Sequence, residues 1–248
     1  MENSTDHEPR TEGPYGPGAG IVSFRSRRKL GDDVAAVLRE AVLTGAFRPG
    51  QRLAVHHLAT RFGVSAMPIR EALIVLASEG IVDGIARRGF RVARITRRDF
   101  EDAFEIHAHV AGRLAAAAAE QVTDEQIDAL TEIHGRIEGA ANGRLELIGV
   151  TRAQAVAEFN FEFHRTLNHI PDAPRLRWFL RAATRYIPQR FYEQIPAWTE
   201  ATLSDHPLLI DSLRRRNANE ARELTIRHVS HGGELVVSHL TKLGYWDN

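Results

Sequence analysis

Residues 55–73, Val-His-His-Leu-Ala-Thr-Arg-Phe-Gly-Val-Ser-Ala-Met-Pro-Ile-Arg-Glu-Ala-Leu, constrain the fold more tightly than any other stretch of this 248-residue chain. Leu58 and Phe62 give a short helix one apolar face, and Ala59 is small enough for a second helix to pack closely against it. Gly63 can take the left-handed conformation that ends a helix. Ser65 suits the N-cap of the second helix, with Pro68 in its first turn, and Leu73, Leu76 and Ala77 continue a buried face as far as Gly80. Val64 and Ile69 fill the angle between the two. This is the pattern of a helix-turn-helix, in which residues 65–79 form the helix that enters a DNA major groove.

The flanking segments fit that reading. Asp32 and Asp33 suit a helix start near residue 32, and Val34, Val37, Leu38, Ala41 and Val42 recur at helical spacing until Gly45. Phe47-Arg48-Pro49-Gly50 reads as a turn. From Ile81 to Ile95 the pattern changes to strand alternation, Phe90 and Val92 against Arg91, with a basic tip at Arg87-Arg88-Gly89. A basic hairpin directly after a recognition helix is a wing. The formal net charge of zero hides a segregation: residues 1–20 carry −3, residues 21–98 carry +9 and residues 99–248 carry −6. A basic module joined to an acidic body points to a polyanion-binding segment attached to one with another job.

Residues 1–24, rich in Gly, Pro and small polar residues, are expected to be a flexible tail. Residues 25–95 are expected to form the winged helix-turn-helix domain, and residues 96–248 an all-helical domain. There Phe100, Phe104, Val110 and Leu114 mark a long helix. Thr123-Asp124 caps a second with Ile127, Leu130 and Ile133, and Val156, Phe159, Phe163 and Leu167 mark a third. Leu176, Leu180 and Ile187, then Leu208, Leu209 and Leu213, then Leu224, Val229, Val236 and Leu240 mark three more. The expected fold class is mainly α: a winged helix-turn-helix with a small β wing, then an all-α antiparallel bundle of six or seven helices. No stretch approaches a membrane span and no signal-peptide pattern opens the chain, so a cytoplasmic protein with no membrane partner is expected. The absence of cysteine excludes disulfides and thiolate sites and leaves any metal to His and oxygen ligands.

The residues Gly45-Ala-Phe-Arg-Pro-Gly-Gln-Arg-Leu53, Leu58-Ala59, Phe62-Gly-Val-Ser65, Pro68-Ile-Arg-Glu-Ala-Leu73, Glu79-Gly80 and Arg88-Gly89 resemble the DNA-binding domain of GntR-family transcriptional regulators. Phe163-His164, Asp205-His206 and the stretch from Ala221 to His228 resemble the FCD effector-binding domain of the FadR subfamily. The resemblance implies a homodimeric regulator, most often a repressor. It implies a pseudo-palindromic operator in double-stranded DNA and release or remodelling when a small molecule, often a carboxylic acid, enters the helical domain. It also implies that the chain is not an enzyme.

On the DNA side, Arg70 sits where an arginine can read guanine O6 and N7 by two hydrogen bonds. Arg87, Arg88 and the backbone of Gly89 suit phosphate or minor-groove contacts, with Arg52 and His57 as further candidates. The family usually has Ser-Arg-Thr-Pro where this chain has Ser65-Ala66-Met67-Pro68. Ala66 removes an arginine, Ala66 and Met67 are free to meet a thymine methyl, and operator preference should differ.

On the helical side, Asn160 and His164 share a helix face four residues apart. By spacing alone they read as lining of a polar pocket. The resemblance adds His206, at the head of a later helix, and His228, and makes the four a metal-binding set in which the first position is usually Asp. Imidazole suits zinc first, with nickel or manganese as alternatives. His107 stands where the family often has Arg, and with Arg185, Tyr186 and Arg190 is a candidate for holding the effector. A different-class alternative is a metal-dependent hydrolase with Glu162 or Glu158 as base. Glu162 lies two residues from both Asn160 and His164, on the opposite face of their helix, which counts against it.

Overall fold

A computed structural model describes residues 30–85, 89–187 and 189–246. The expected tail over residues 1–24 and the wing-tip residues Arg87 and Arg88 lie outside these. The chain packs as two compact units, one holding the described residues up to Val42 with Phe47–Arg94, the other Leu43–Ala46 with the described residues from Ile95 onward.

The first unit contains three helices, α1 (Leu30–Leu43), α2 (Val55–Phe62) and α3 (Ala66–Ser78), and three short strands, β1 (Arg52–Leu53), β2 (Val82–Ile85) and β3 (Gly89–Val92). Helix α1 begins two residues ahead of the acidic pair, which therefore lies inside its first turn. Gly63 closes α2 at φ 66°, and the N–H of Val64 returns to the carbonyl of Ala59 at 3.1 Å. That left-handed residue reverses the chain so that α3 lies across α2. Ser65 occupies the N-cap of α3, but its side chain makes no capping hydrogen bond. Leu38, Leu58, Ile69, Leu73, Leu76 and Ile81 make the buried core.

The wing is a three-stranded antiparallel sheet in the order β1-β3-β2, with Arg52 opposite Arg91 and Asp83 opposite Arg91 on the other side. Sequence reasoning missed β1, because two residues after a turn carry no strand periodicity. At the far end of α3, Glu79 accepts two hydrogen bonds from the Arg39 guanidinium, at 2.8 and 2.9 Å, tying α3 to α1.

The second unit is helical: α4 (Arg97–Gln121), α5 (Asp124–Ala141), α6 (Arg152–His169), α7 (Pro174–Thr184), α8 (Pro196–Arg214) and α9 (Ala218–Lys242), with a 3-10 helix at Gln189–Gln194 before α8. Thr96 with Asp99, Thr123 with Gln126 and Thr151 with Gln154 form capping boxes that start α4, α5 and α6. Helices α4 and α9 run antiparallel in close contact, because glycines remove side chains where they cross. A Cβ on Gly112 would lie 2.7 Å from Ile226 Cγ1, and one on Gly233 would lie 2.6 Å from Phe104 Cγ. Helix α5 packs on α6 and α8, and α8 on α9. Among the described residues no helix is long and apolar enough to cross a membrane.

One expectation needs correction. His206 is not at the head of its helix but in its eleventh position, since α8 starts at Pro196. Asp205-His206-Pro207 imitates a helix start, an acid followed by a proline in the first turn, whereas Pro207 actually stands inside α8.

Candidate nucleic-acid interface and metal centre

The start of α3 presents Ser65, Ala66, Met67 and Arg70 to solvent while Pro68 and Ile69 turn inward. Met67 is 66% exposed, a large apolar side chain with no core to fill. Arg70 has no ion-pair partner among the described residues. Arg52 and His57 are exposed on β1 and α2. Gly89 enters β3 at φ 95°, a left-handed conformation that L side chains rarely adopt, and an added Cβ there would meet open space. The glycine is therefore required by the backbone and not by crowding. This is a surface of short, adaptable side chains around an unpaired arginine, carried on a helix whose other face is locked into the core.

In the helical unit, α6, α8 and α9 bring His164, His206 and His228 together. Among the described residues, one ring nitrogen from each lies within 4.8 Å of the others. His164 Nε2 and His228 Nε2 are 3.2 Å apart. His206 is fully buried, stacked on Phe163 at 3.9 Å between ring centroids. Both of its ring nitrogens lack a hydrogen-bond partner. Asn160, 8% exposed and one turn before His164 on α6, also has its Oδ1 buried and unpartnered.

The electrostatics keep His164 and His206 neutral. Burial first, then the neighbouring His228 and His107, pushes His164 well below the ordinary imidazole range. Burial followed by His164, His228 and His134 does the same to His206. Asp205, adjacent to His206 in sequence, accepts a hydrogen bond from His228 Nδ1 at 3.1 Å. That bond is the first cause holding its carboxyl below the usual range. Because a carboxylate can only accept, Nδ1 of His228 carries a proton, and Nε2 is the nitrogen that faces the cluster.

Imidazoles with converging ring nitrogens, a buried carboxamide oxygen without a donor, and no lysine or arginine within the set are what a divalent transition metal requires. The residues present fit such an ion. His107 on α4 has its Nδ1 sealed from solvent and unpartnered, and burial, then His228, pushes it down to about 4. Arg185 is exposed and Tyr186 half-buried in the turn that ends α7. Glu162 is bound to Arg136 at 3.0 Å, and so is committed elsewhere. A groove of about 550 Å³ lies along α4 and α9, but it mixes Glu101, Glu105 and Glu234 with Arg97 and Lys242 and includes none of the histidines.

Two domain models match the chain: "Bacterial regulatory proteins, gntR family" over residues 30–92, and "FCD domain" over residues 102–231. The protein belongs to the GntR family of bacterial regulators, with an FCD domain behind its helix-turn-helix. It is 24% identical over 202 residues to the uncharacterized HTH-type transcriptional regulator YdhC of Bacillus subtilis, covering 79% of this chain and 86% of that one. It is 24% identical over 213 residues to the HTH-type transcriptional repressor RspR of Escherichia coli, covering 84% and 89%. The fold matches that of E. coli McbR/YncC with a TM-score of 0.65 at 21% identity, over 86% of this chain and 99% of that one. The GntR-family chain is thus a DNA-binding transcriptional regulator and not an enzyme, and the hydrolase alternative is set aside. Its FCD domain marks it as responsive to a small molecule.

Proposed function

We propose that the protein is a homodimeric repressor of the FadR subfamily, acting in the cytoplasm, whose grip on a pseudo-palindromic operator is controlled by a carboxylate effector bound at a metal centre. Residues 25–95 would bind DNA, and residues 96–248 would bind the effector and dimerise. The carrying observation is the convergence of His164, His206 and His228, with both ring nitrogens of the buried His206 unpartnered, in a chain whose other unit exposes a recognition helix. His164, His206 and His228 would hold the ion through ring nitrogens, with Asn160 Oδ1 as a neutral fourth donor; zinc suits the set best, then nickel or manganese. When bound, such an ion supplies positive charge and open positions that attract a carboxylate. His107, neutral and facing the cluster electrostatically, would donate to the effector, with Arg185 and Tyr186 as outer contacts.

On the DNA, Arg70 would read guanine, Ala66 and Met67 a thymine methyl, and Ser65, Arg52, His57, Gly89 and the wing arginines Arg87 and Arg88 the backbone or minor groove. The test is a mobility-shift titration of tag-free protein on its own promoter DNA, with and without zinc and a panel of carboxylic acids. Binding should fall steeply with salt and respond to at least one acid when zinc is present. No retardation of the promoter relative to random DNA overturns the repressor reading; no response to any acid in either metal state overturns the effector reading.

A further inference from the structure

One buried histidine takes no part in the set described so far. His134 on α5 is 6% exposed, and neither of its ring nitrogens has a hydrogen-bond partner. Its ring centroid lies 5.6 Å from that of His206, with a 56° angle between the planes. His206 in turn lies 5.1 Å from His164 and 5.1 Å from His228. His134 makes ring contact with His206 and with no other member of the triad among the described residues. His206 therefore stands between the other two ligands and His134, and an imidazole carries its two nitrogens on different edges of the ring. If one nitrogen serves the cluster, the other is directed away from it, in a core where no backbone or side-chain group among the described residues takes it up. A ring nitrogen lies about 1.1 Å from its centroid, so nitrogens turned to face each other across rings 5.6 Å apart would stand about 3.4 Å from one another, and a closure of a few tenths of an ångström makes the hydrogen bond. On its outer side, His134 Nε2 is 3.7 Å from the half-exposed carboxylate of Glu138, one turn along α5.

We infer that His134 is a positioning residue for the metal centre, hydrogen-bonded to the outer nitrogen of His206 and fixing the tautomer that turns the inner lone pair toward the ion. The inference rests on the metal-centre reading above. His134 does for His206 what Asp205 does for His228, but with a neutral ring in a drier place. Two buried neutral imidazoles can satisfy one another, one donating and one accepting, whereas a carboxylate so deep would carry an uncompensated charge. Partners of this outer kind orient the ring and raise its basicity, and losing one lowers metal affinity without removing a ligand. The Glu138 carboxylate biases the proton on the outer edge of His134 and completes a line from solvent to the centre.

The experiment is zinc affinity by chelator competition on tag-free full-length protein, with long-range proton–nitrogen NMR of the histidine rings in metal-free and zinc-loaded protein. His134→Leu, which fills the same space without a donor or acceptor, should weaken zinc binding by about 10–100-fold. His134→Gln, which keeps both hydrogen-bonding functions, should restore most of it. In the metal-free wild type, the His206 ring should show one fixed tautomer, and His134→Leu should convert it to a mixture. Zinc affinity and His206 tautomer both unchanged in a folded His134→Leu protein overturn the inference, while His164→Ala still abolishing binding would leave the metal centre standing. Wild type that takes up no stoichiometric zinc overturns the centre itself and this role with it.

Discussion

His228 donates its Nδ1–H to Asp205 Oδ2 across 3.1 Å, a contact between α9 and α8 that joins the last helix of the chain to the residue next to His206. The carboxylate decides which nitrogen of His228 is free to ligate. Asp205→Asn can present its amide as donor or acceptor and so no longer fixes the tautomer. Zinc affinity should fall by roughly 10–100-fold while the fold is retained, measured by chelator competition alongside circular dichroism. Unchanged affinity would mean that Asp205 serves packing alone.

How far such relationships can be read from sequence differs between the two units. The helix-turn-helix was legible because its constraints are local: Gly63, Ala59 and the apolar spacing lie within a turn or two of each other. The capping boxes at Thr123 and elsewhere are local in the same way. His164 and His206 are forty-two positions apart on different helices, and no periodicity encodes that they meet; only the resemblance to a family paired them. His134 shows the remaining gap. It drew no role from the sequence, because its approach to His206 depends on α5 packing against α8, which spacing does not carry. Pro207 misled because the same residue type opens helices and tolerates a place within them.

Arg39 and Glu79 form a two-point ion pair in the DNA-binding unit, with the Glu79 side chain almost wholly buried. Breaking it leaves a guanidinium partly desolvated without its partner. Glu79→Gln should destabilise this unit by about 3 kcal/mol, and Arg39→Leu with Glu79→Leu together should recover much of the loss. Hydrogen exchange of α3 amides under native conditions measures it, since the tryptophans lie in the other unit.

The α4–α9 crossing yields a pair of contrasting substitutions. Gly233→Ala would set a Cβ 2.6 Å from Phe104 Cγ, and Gly112→Ala would set one 3.1 Å from the Arg222 carbonyl oxygen as well as against Ile226. Each should cost about 1–3 kcal/mol by overpacking. Phe104→Ala should relieve the clash of Gly233→Ala in part, because it removes the Cγ and Cδ1 that the new methyl would meet at 2.6 and 2.9 Å. Gly112→Ala should resist rescue by Ile226→Val, because backbone remains in the way. Thermal unfolding of the four variants decides it.

Arg70 and Arg52 should separate in a DNA-binding assay. Arg70→Ala should reduce the preference for operator over scrambled DNA by about 1–3 kcal/mol, the value of one bidentate guanine contact. Arg52→Ala should weaken binding to both sequences alike and lower the salt slope by about one. Fluorescence anisotropy on the two duplexes at several salt concentrations measures both. Equal sequence preference in Arg70→Ala and wild type would remove it from the base-reading role.

The buried histidines also make the metal-free protein sensitive to acid, with a definite sign. His107 is pushed from 6.5 to about 4 by burial and then by His228, and His164 and His206 are pushed well below 6.5, burial again leading. In the unfolded chain these rings titrate near 6.5. Above about pH 7 neither state binds protons at them, and they add no slope. Between about 6.5 and 4 the unfolded chain takes up protons that the folded chain refuses, so stability rises with pH across this window and is lost as pH falls through it, by about 1.4 kcal/mol per pH unit for each ring fully engaged. The depressed Asp205 acts in the same direction but below its ordinary value of 3.8, outside the window. Urea unfolding of metal-free protein from pH 7.5 to 5 should therefore show a flat region and then a decline, and His107→Leu should make the decline shallower by up to one proton. Zinc should raise stability above pH 7 and steepen the loss below it, because protons and metal compete for the same lone pairs.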